Sequence, residues 1–143
     1  MLSDEYEVSC DPQRIDITLV HEFLRTSYWA EGRNREVVER SIQNSLCFGV
    51  YVRGRQIAFA RVITDRAVFG YLADVFVVPE FRGRGIGKGL VQAILAHPDL
   101  QGLRTILLGT RDAHGLYAQF GFGPIADPQR LMSKRSPEVA GTG

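Results

Sequence analysis

The spacing of apolar residues changes along the chain, and each change predicts an element. Tyr6 to Ser9 fits a short first strand. Asp16 reads as a helix N-cap, because Leu19, Val20, Phe23 and Leu24 recur after it at helical spacing. A second helical pattern covers Arg35 to Asn44, with Val37, Val38, Ser41 and Ile42 on one face. Between the two, Ser27 to Arg33 has no period and contains a glycine, so it reads as a loop. Then the pattern becomes extended. Leu46 to Val52, Ile57 to Thr64 and Val68 to Val78 are rich in β-branched and aromatic residues, separated by the turn signals Arg53-Gly54-Arg55-Gln56 and Asp65-Arg66. Three strands joined by short turns predict an antiparallel meander, which Pro79 ends because it has no N–H to donate.

Helical spacing returns with Ile86, Leu90, Val91, Ile94 and Leu95, and His97-Pro98 stops it. The apolar run Arg104 to Gly109 predicts a strand covered on both faces, reached by a right-handed parallel crossover. Ala113 to Phe120 predicts a short helix closed by Gly121, and Phe122 to Lys134 a short irregular strand at the sheet end. The expected architecture is α+β, a mixed central sheet of about six strands with helices on both faces. One domain is expected over residues 1–135, followed by a flexible tail, 136–143, of small and polar residues.

Composition narrows the function classes. The 143 residues carry 17 basic and 16 acidic side chains, a net charge of +1. That balance points away from nucleic-acid and membrane partners, which usually require a basic excess. Cys10 and Cys47 share no metal-ligand spacing, so no metal is expected. The first ten residues are too polar for a secretory signal, and no stretch has the roughly 20 apolar residues needed to cross a bilayer. These features predict a soluble, cytoplasmic protein with reduced thiols.

The strongest chemical signal lies where the third meander strand gives way to a helix. Arg82-Gly83-Arg84-Gly85-Ile86-Gly87-Lys88-Gly89 places glycines at a helix start, where backbone N–H groups are unpaired and the dipole end is positive. Glycine lets a large anion approach the backbone closely, and Arg82, Arg84 and Lys88 add charge, so the turn predicts a phosphate site. A Walker A loop is excluded: the position for its first glycine is Arg82, and Lys88 precedes Gly89 rather than Ser or Thr. A dinucleotide fingerprint is excluded too, since from Gly83 its third glycine falls on Lys88 and from Gly85 on Leu90.

The run Arg82-Gly83-Arg84-Gly85-Ile86-Gly87 resembles motif A of the GNAT superfamily of N-acetyltransferases, Gln/Arg-x-x-Gly-x-Gly/Ala. A second signature of that family, a Tyr shortly before Gly-Phe, is similar to Tyr117-Ala118-Gln119-Phe120-Gly121-Phe122. The element order agrees with the family from Tyr6 to about Met132. The resemblance implies acetyl-CoA as acyl donor, held between a splayed parallel pair of strands. Val75, Phe76 and Val77 would then meet the pantetheine, and backbone N–H groups from Gly83 through Arg84, Gly85, Ile86 and Gly87 to Lys88 the pyrophosphate. Many members carry asparagine where this chain has Thr110, which offers only a hydroxyl to that arm.

The resemblance further implies direct attack of an amine in a ternary complex, with Tyr117 as the acid for the departing thiolate. Neither cysteine lies near these motifs, which agrees. An alkylammonium must first lose a proton. Asp74, a carboxylate inside the apolar strand 71–78, is the candidate base; an ion pair with Arg61 is the alternative, with water carrying the proton. Asp112 reads as an N-cap and His114 as a surface histidine. By the same resemblance the acceptor, a small-molecule or peptide amine, would be read by the loop residues Tyr28, Trp29 and Glu31 and by the strand residues Phe59, Arg61 and Ile63. A non-catalytic acyl-CoA-binding sensor is the competing reading, and monomer and homodimer both stay open.

Overall fold

The computed structural model describes residues 2–137. Its sheet has five strands in the order β1-β2-β3-β4-β5, where β1 is Tyr6–Ser9, β2 Leu46–Val52, β3 Arg55–Thr64, β4 Phe69–Val77 and β5 Thr105–Leu108. The first four pair antiparallel with their neighbours, and β4 pairs with β5 in parallel. The helices are α1 Ile17–Arg25, α2 Arg35–Gln43, α3 Ile86–Ala96 and α4 His114–Ala118.

Local chemistry accounts for the element ends. The Asp16 carboxylate accepts from the Leu19 N–H, and the Asn34 side-chain oxygen from the Val37 N–H, which caps α1 and α2. Arg53 and Gly54, with φ of 50° and 78°, form the two-residue turn of the β2–β3 hairpin, the left-handed pair that matches strand twist. Asp65 accepts from the N–H groups of Ala67, Val68 and Phe69, which closes the β3–β4 turn and holds its carboxyl below the usual carboxylate range.

Helices cover both faces, as the alternation along β2 makes plain. The Cys47 thiol points to the carbonyl of Ile42 on α2, whereas the next ring, Phe48, packs edge-on against His97 at the end of α3. The core fills the space on either side with Val20 and Leu24 of α1, Val38 of α2, Phe48, Val50, Ile57, Phe59 and Val62 of the sheet, and Ile86, Leu90, Val91 and Ile94 of α3. Fully burying such a side chain is worth roughly 1.5–3 kcal/mol.

Two expectations are corrected. The sheet has five strands and not six, because residues 122–134 do not join it. Pro124 and Pro128 interrupt that segment, and a short 3-10 turn, Pro128–Arg130, stands where the strand was expected. The apolar run ending at Gly109 is not covered on both faces either. As β5 it is the last strand of the sheet, with Thr105 exposed and the next three residues half-buried. The expected tail, 136–143, lies mostly outside the described residues.

Candidate active site

The site is created by an irregularity in β4. Against β3 the register runs Phe59↔Phe76 and then Arg61↔Ala73, so β4 carries one residue more than its partner. Such a bulge bends the strand and strengthens its twist. Asp74 sits in the bulge with φ of 55°, a left-handed conformation that Asp tolerates better than most side chains. On the other side of β4, parallel pairing with β5 stops at Leu72↔Leu108. Beyond that point the strands part.

A cavity of about 450 Å³ occupies the opening. Leu72, Ala73, Asp74 and Val75 line it from β4, Leu108, Gly109 and Thr110 from the end of β5, Tyr117 from α4, and Tyr28 and Trp29 from the α1–α2 loop. That loop reaches across the opening. The Tyr28 hydroxyl accepts from the Arg111 N–H at 3.2 Å, the Arg111 guanidinium lies 3.8 Å from the centre of the Tyr28 ring, and Trp29 meets that ring edge-on.

The glycine turn lies between β4 and α3. Gly85 is the N-cap of α3 and has φ of 77°, as does Gly83. No side chain caps the helix, and α3's first cap bond is made by the Gly89 N–H to the Gly85 carbonyl. The N–H groups from residue 83 to residue 88 therefore have no acceptor among the described residues. A Cβ at Gly83 or Gly85 would meet no protein atom within 4 Å, so bare backbone faces outward there. Arg82, Arg84 and Lys88 are exposed, and none pairs with a carboxylate among the described residues. Arg82 instead donates from Nε to the Val77 carbonyl, and Arg84 stacks over Phe81. Outward N–H groups, a helix dipole and free cations fit a pyrophosphate.

Tyr117 is buried, yet its hydroxyl makes no hydrogen bond to a described residue and opens on the cavity. Burial raises its pKa above the ordinary 10, and the neighbouring Tyr28 adds to the effect, so it carries its proton at neutral pH. A turn positions it: the Phe122 N–H bonds the Tyr117 carbonyl and the Gly121 N–H that of Ala118, with Gly121 at φ of 89°. This is the Schellman closure, which requires the left-handed residue.

Asp74 is the centre of a buried network. Its side chain is 0% exposed. Oδ1 accepts from Trp29 Nε1 at 2.9 Å, and Oδ2 from Arg33 Nη1 at 2.8 Å and Arg61 Nε at 2.6 Å. The ion pair with Arg61 considered from sequence is present, and Arg33, which the sequence reading left at the end of the acceptor loop without a partner, doubles it. Nothing in the spacing of Arg33 marks it; the contact spans 41 positions and depends on the loop conformation. Arg61 also reaches Ser45.

The remaining expected residues divide. Val75 lines the cavity, while Phe76 is buried and stacks on Phe23 of α1 with ring centres 4.0 Å apart. Phe59 is fully buried against Phe76 and does not line the cavity. Glu31 is exposed and outside the cavity lining. Asp112 is not a cap. The N-cap of α4 is Ala113, whose N–H goes to the Thr110 hydroxyl at 3.0 Å; the hydroxyl hydrogen stays free to donate. His114 is exposed. Burial pushes the Cys47 thiol up to about 12 and also raises Cys10, so neither is a ready thiolate. Among the described residues no three His, Cys, Asp or Glu gather as metal ligands, and no helix is long and apolar enough to cross a membrane.

Comparison with known proteins agrees with this geometry. The model of the acetyltransferase (GNAT) family matches residues 16–122. A crystal structure of a candidate GNAT acetyltransferase from Xanthomonas campestris pv. campestris superposes with a TM-score of 0.90 at 54% identity, covering 92% of this chain and 94% of that one. A candidate acetyltransferase of Gibberella zeae is 28% identical over 138 residues, 80% of this chain and 77% of its own. An amino-acid acetyltransferase of Pseudomonas fluorescens is 39% identical over 108 residues, 73% of this chain; the match spans 24% of that longer protein. With a family match over most of the chain, bulge and glycine turn included, the chain belongs to the GNAT family of acetyltransferases.

Proposed function

We propose that this protein transfers an acetyl group from acetyl-CoA to the primary amine of a small molecule or peptide, by direct attack in a ternary complex. The observation that carries the reading is the Tyr117 hydroxyl. It is unpartnered, it is kept protonated by burial, and it opens on the same cavity as the parted ends of β4 and β5, the strand β4 leading on to the free N–H groups of the glycine turn. A module that only bound an acyl-CoA would have no use for a poised acid there.

Acetyl-CoA supplies the activated acyl carbon and a thiolate leaving group. The chain's own residues do the rest. The N–H groups of residues 83–88 hold the pyrophosphate, Val75 and Thr110 flank the arm that enters the opening, and Tyr117 gives its proton to the thiolate. Tyr28 and Trp29 wall the acceptor side. Asp74 acts as a positioning residue: both its oxygens are taken by donors, and through Trp29 and Arg33 it fixes the acceptor loop to β4. Water takes the proton from the acceptor ammonium. The high thiol pKa values of Cys47 and Cys10 favour this route over an acyl-enzyme.

The Pseudomonas relative's description makes α-amino acids the first acceptors to try. Thiol release from acetyl-CoA is measured with amino acids, polyamines, aminoglycosides and short peptides, for wild type and Tyr117→Phe. Positioned acids contribute about 10²–10⁴ in rate, so Phe is expected to lower kcat at least a hundredfold and leave acetyl-CoA binding intact. Unchanged turnover in Tyr117→Phe would remove the acid role. Acetyl-CoA binding without turnover of any acceptor would favour the sensor.

A further inference from the structure

The charges around the cavity do not suit a bare cation. Two carboxylates line it, Asp74 and Asp112. Asp74 faces two guanidinium groups, Arg33 at 2.8 Å and Arg61 at 2.6 Å, and Trp29 takes its other oxygen. Two cations against one carboxylate leave that buried network positive. Asp112 stands on the exposed side, nearest Arg111. Glu31, the one carboxylate of the α1–α2 loop, is exposed and does not line the cavity. An acceptor whose only charge is its ammonium thus meets no buried carboxylate free to hold it.

Arg111 is the cation that lines the cavity, and it is held there by an uncharged partner. Its backbone N–H donates to the Tyr28 hydroxyl, and its guanidinium lies 3.8 Å from the centre of the Tyr28 ring. An aromatic face fixes a guanidinium without neutralising it, and the planar fork keeps its N–H groups for a ligand. Asp112 approaches it only to 3.7 Å, with the two side chains 64% and 70% exposed, a pair too open to water to compete. The Tyr28 hydroxyl has accepted a hydrogen bond and still has its own hydrogen to give. The Tyr71 hydroxyl, which lines the same cavity beside Gly109, has no partner among the described residues. These are donors in want of an acceptor, and a carboxylate supplies one that matches the guanidinium fork.

We propose that the acceptor is an amine carrying a carboxylate, and that Arg111 selects it by binding that carboxylate beside the Tyr28 ring. The inference rests on the proposed amine transfer and narrows it to amino acids. Selection works in both directions: the Arg111 guanidinium and the positive Asp74 network attract an acceptor with an anion and repel a polyamine or an aminoglycoside, whose charges are all positive.

Trp29 is the single tryptophan and lines the cavity, so its fluorescence reads acceptor binding without turnover. With coenzyme A present, dissociation constants are measured for L-leucine against L-leucinamide and for β-alanine against β-alaninamide, on wild type and Arg111→Met. Circular dichroism confirms that the variant is folded, as expected for an exposed side chain. A hydrogen bond to a charged group corresponds to about ten- to hundredfold in affinity. Wild type is expected to prefer an acid over its amide by that factor, and Arg111→Met to bind the two alike. Arg111→Lys, which keeps the charge, is expected to keep part of the preference. Equal binding of acid and amide by wild type overturns the proposal, as does a preference that survives Arg111→Met. If the acid preference holds and depends on Arg111 but no amine is acetylated, the carboxylate site stands and the transfer reading falls.

Discussion

Replacing Asp74 by Asn separates a structural role from a chemical one. The substitution keeps the shape of the side chain and removes its charge. In the folded protein Oδ1 faces Trp29 Nε1, and Oδ2 faces Arg33 Nη1 and Arg61 Nε, all three of them donors. An amide has one oxygen and one NH₂, so either orientation points a donor at a donor. It also leaves two guanidinium groups, whose side chains are 5% and 10% exposed, without a counter-charge. Breaking a buried ion pair by removing one partner costs about 3–5 kcal/mol. For a domain of this size that corresponds to a fall in Tm of about 10–15 °C. Urea unfolding and thermal melts measure it, and a cycle with Arg33→Met shows whether the loss belongs to the pair. Kinetics of the folded variant complete the test. A lost general base would cost roughly 10²–10⁴ in rate, whereas a positioning role leaves turnover within about a hundredfold of wild type. If Asp74→Asn melts with wild type and yet loses turnover, the structural argument is wrong and Asp74 does chemistry.

Two other outcomes follow. Gly85→Ala forces a left-handed backbone on alanine, at roughly 1–2 kcal/mol, while its Cβ meets no protein atom within 4 Å. The expected result is a small loss in Tm with a KM for acetyl-CoA raised at least tenfold; an unchanged KM would move the pyrophosphate away from this turn. On the proposed acid role Tyr117 acts in its protonated form, so its contribution to activity is expected below its pKa and lost as pH rises through it. Burial raises that pKa in the free protein, which puts the alkaline limb of kcat/KM above the ordinary tyrosine value near 10; the raised value likewise means that stability is lost as pH climbs through it. A limb centred below 10 would contradict the burial argument.

Much of this was legible in the sequence because it is local. A cap is decided by residues a turn apart, and the Asp16 start of α1 and the bounds of β1 follow from a few neighbours. The glycine turn was legible as a helix start with unpaired N–H groups for the same reason: those groups belong to its own backbone. What failed was long-range. Phe59, Arg61 and Ile63 do share a face of β3, as the alternation says. Which of them meets solvent is set by the coverage of that face: Phe59 is buried against Phe76, which itself stacks on Phe23 of α1, and Ile63 is exposed, with Arg61 committed to Asp74 between them. The bulge that turns Asp74 inward has no signature in β propensity, which reports how a side chain fits a pleated surface and not where the pleat breaks. The sixth strand failed because strand propensity alone does not pair a segment, and Pro124, Pro128 and the 3-10 turn at Pro128–Arg130 interrupt this one.

The placement of the glycine turn also bears on how the domain comes together. β1 to β4 are joined by α1, α2 and two tight turns, but β5 reaches β4 only after the crossover of residues 78–104, and it then pairs over four residues. Closing that loop costs entropy before the short parallel ladder returns any of it. The turn lies inside the crossover, and Tyr117 lies just past β5. On the proposed function, acyl donor held there would bridge the start of the loop and the strand that ends it, and so would act as a clasp on the least secured part of the sheet. Donor binding is therefore expected to slow amide exchange in β5 and α4 far more than in the β2–β3 hairpin, and the unit expected to open first without it is the one that carries Tyr117.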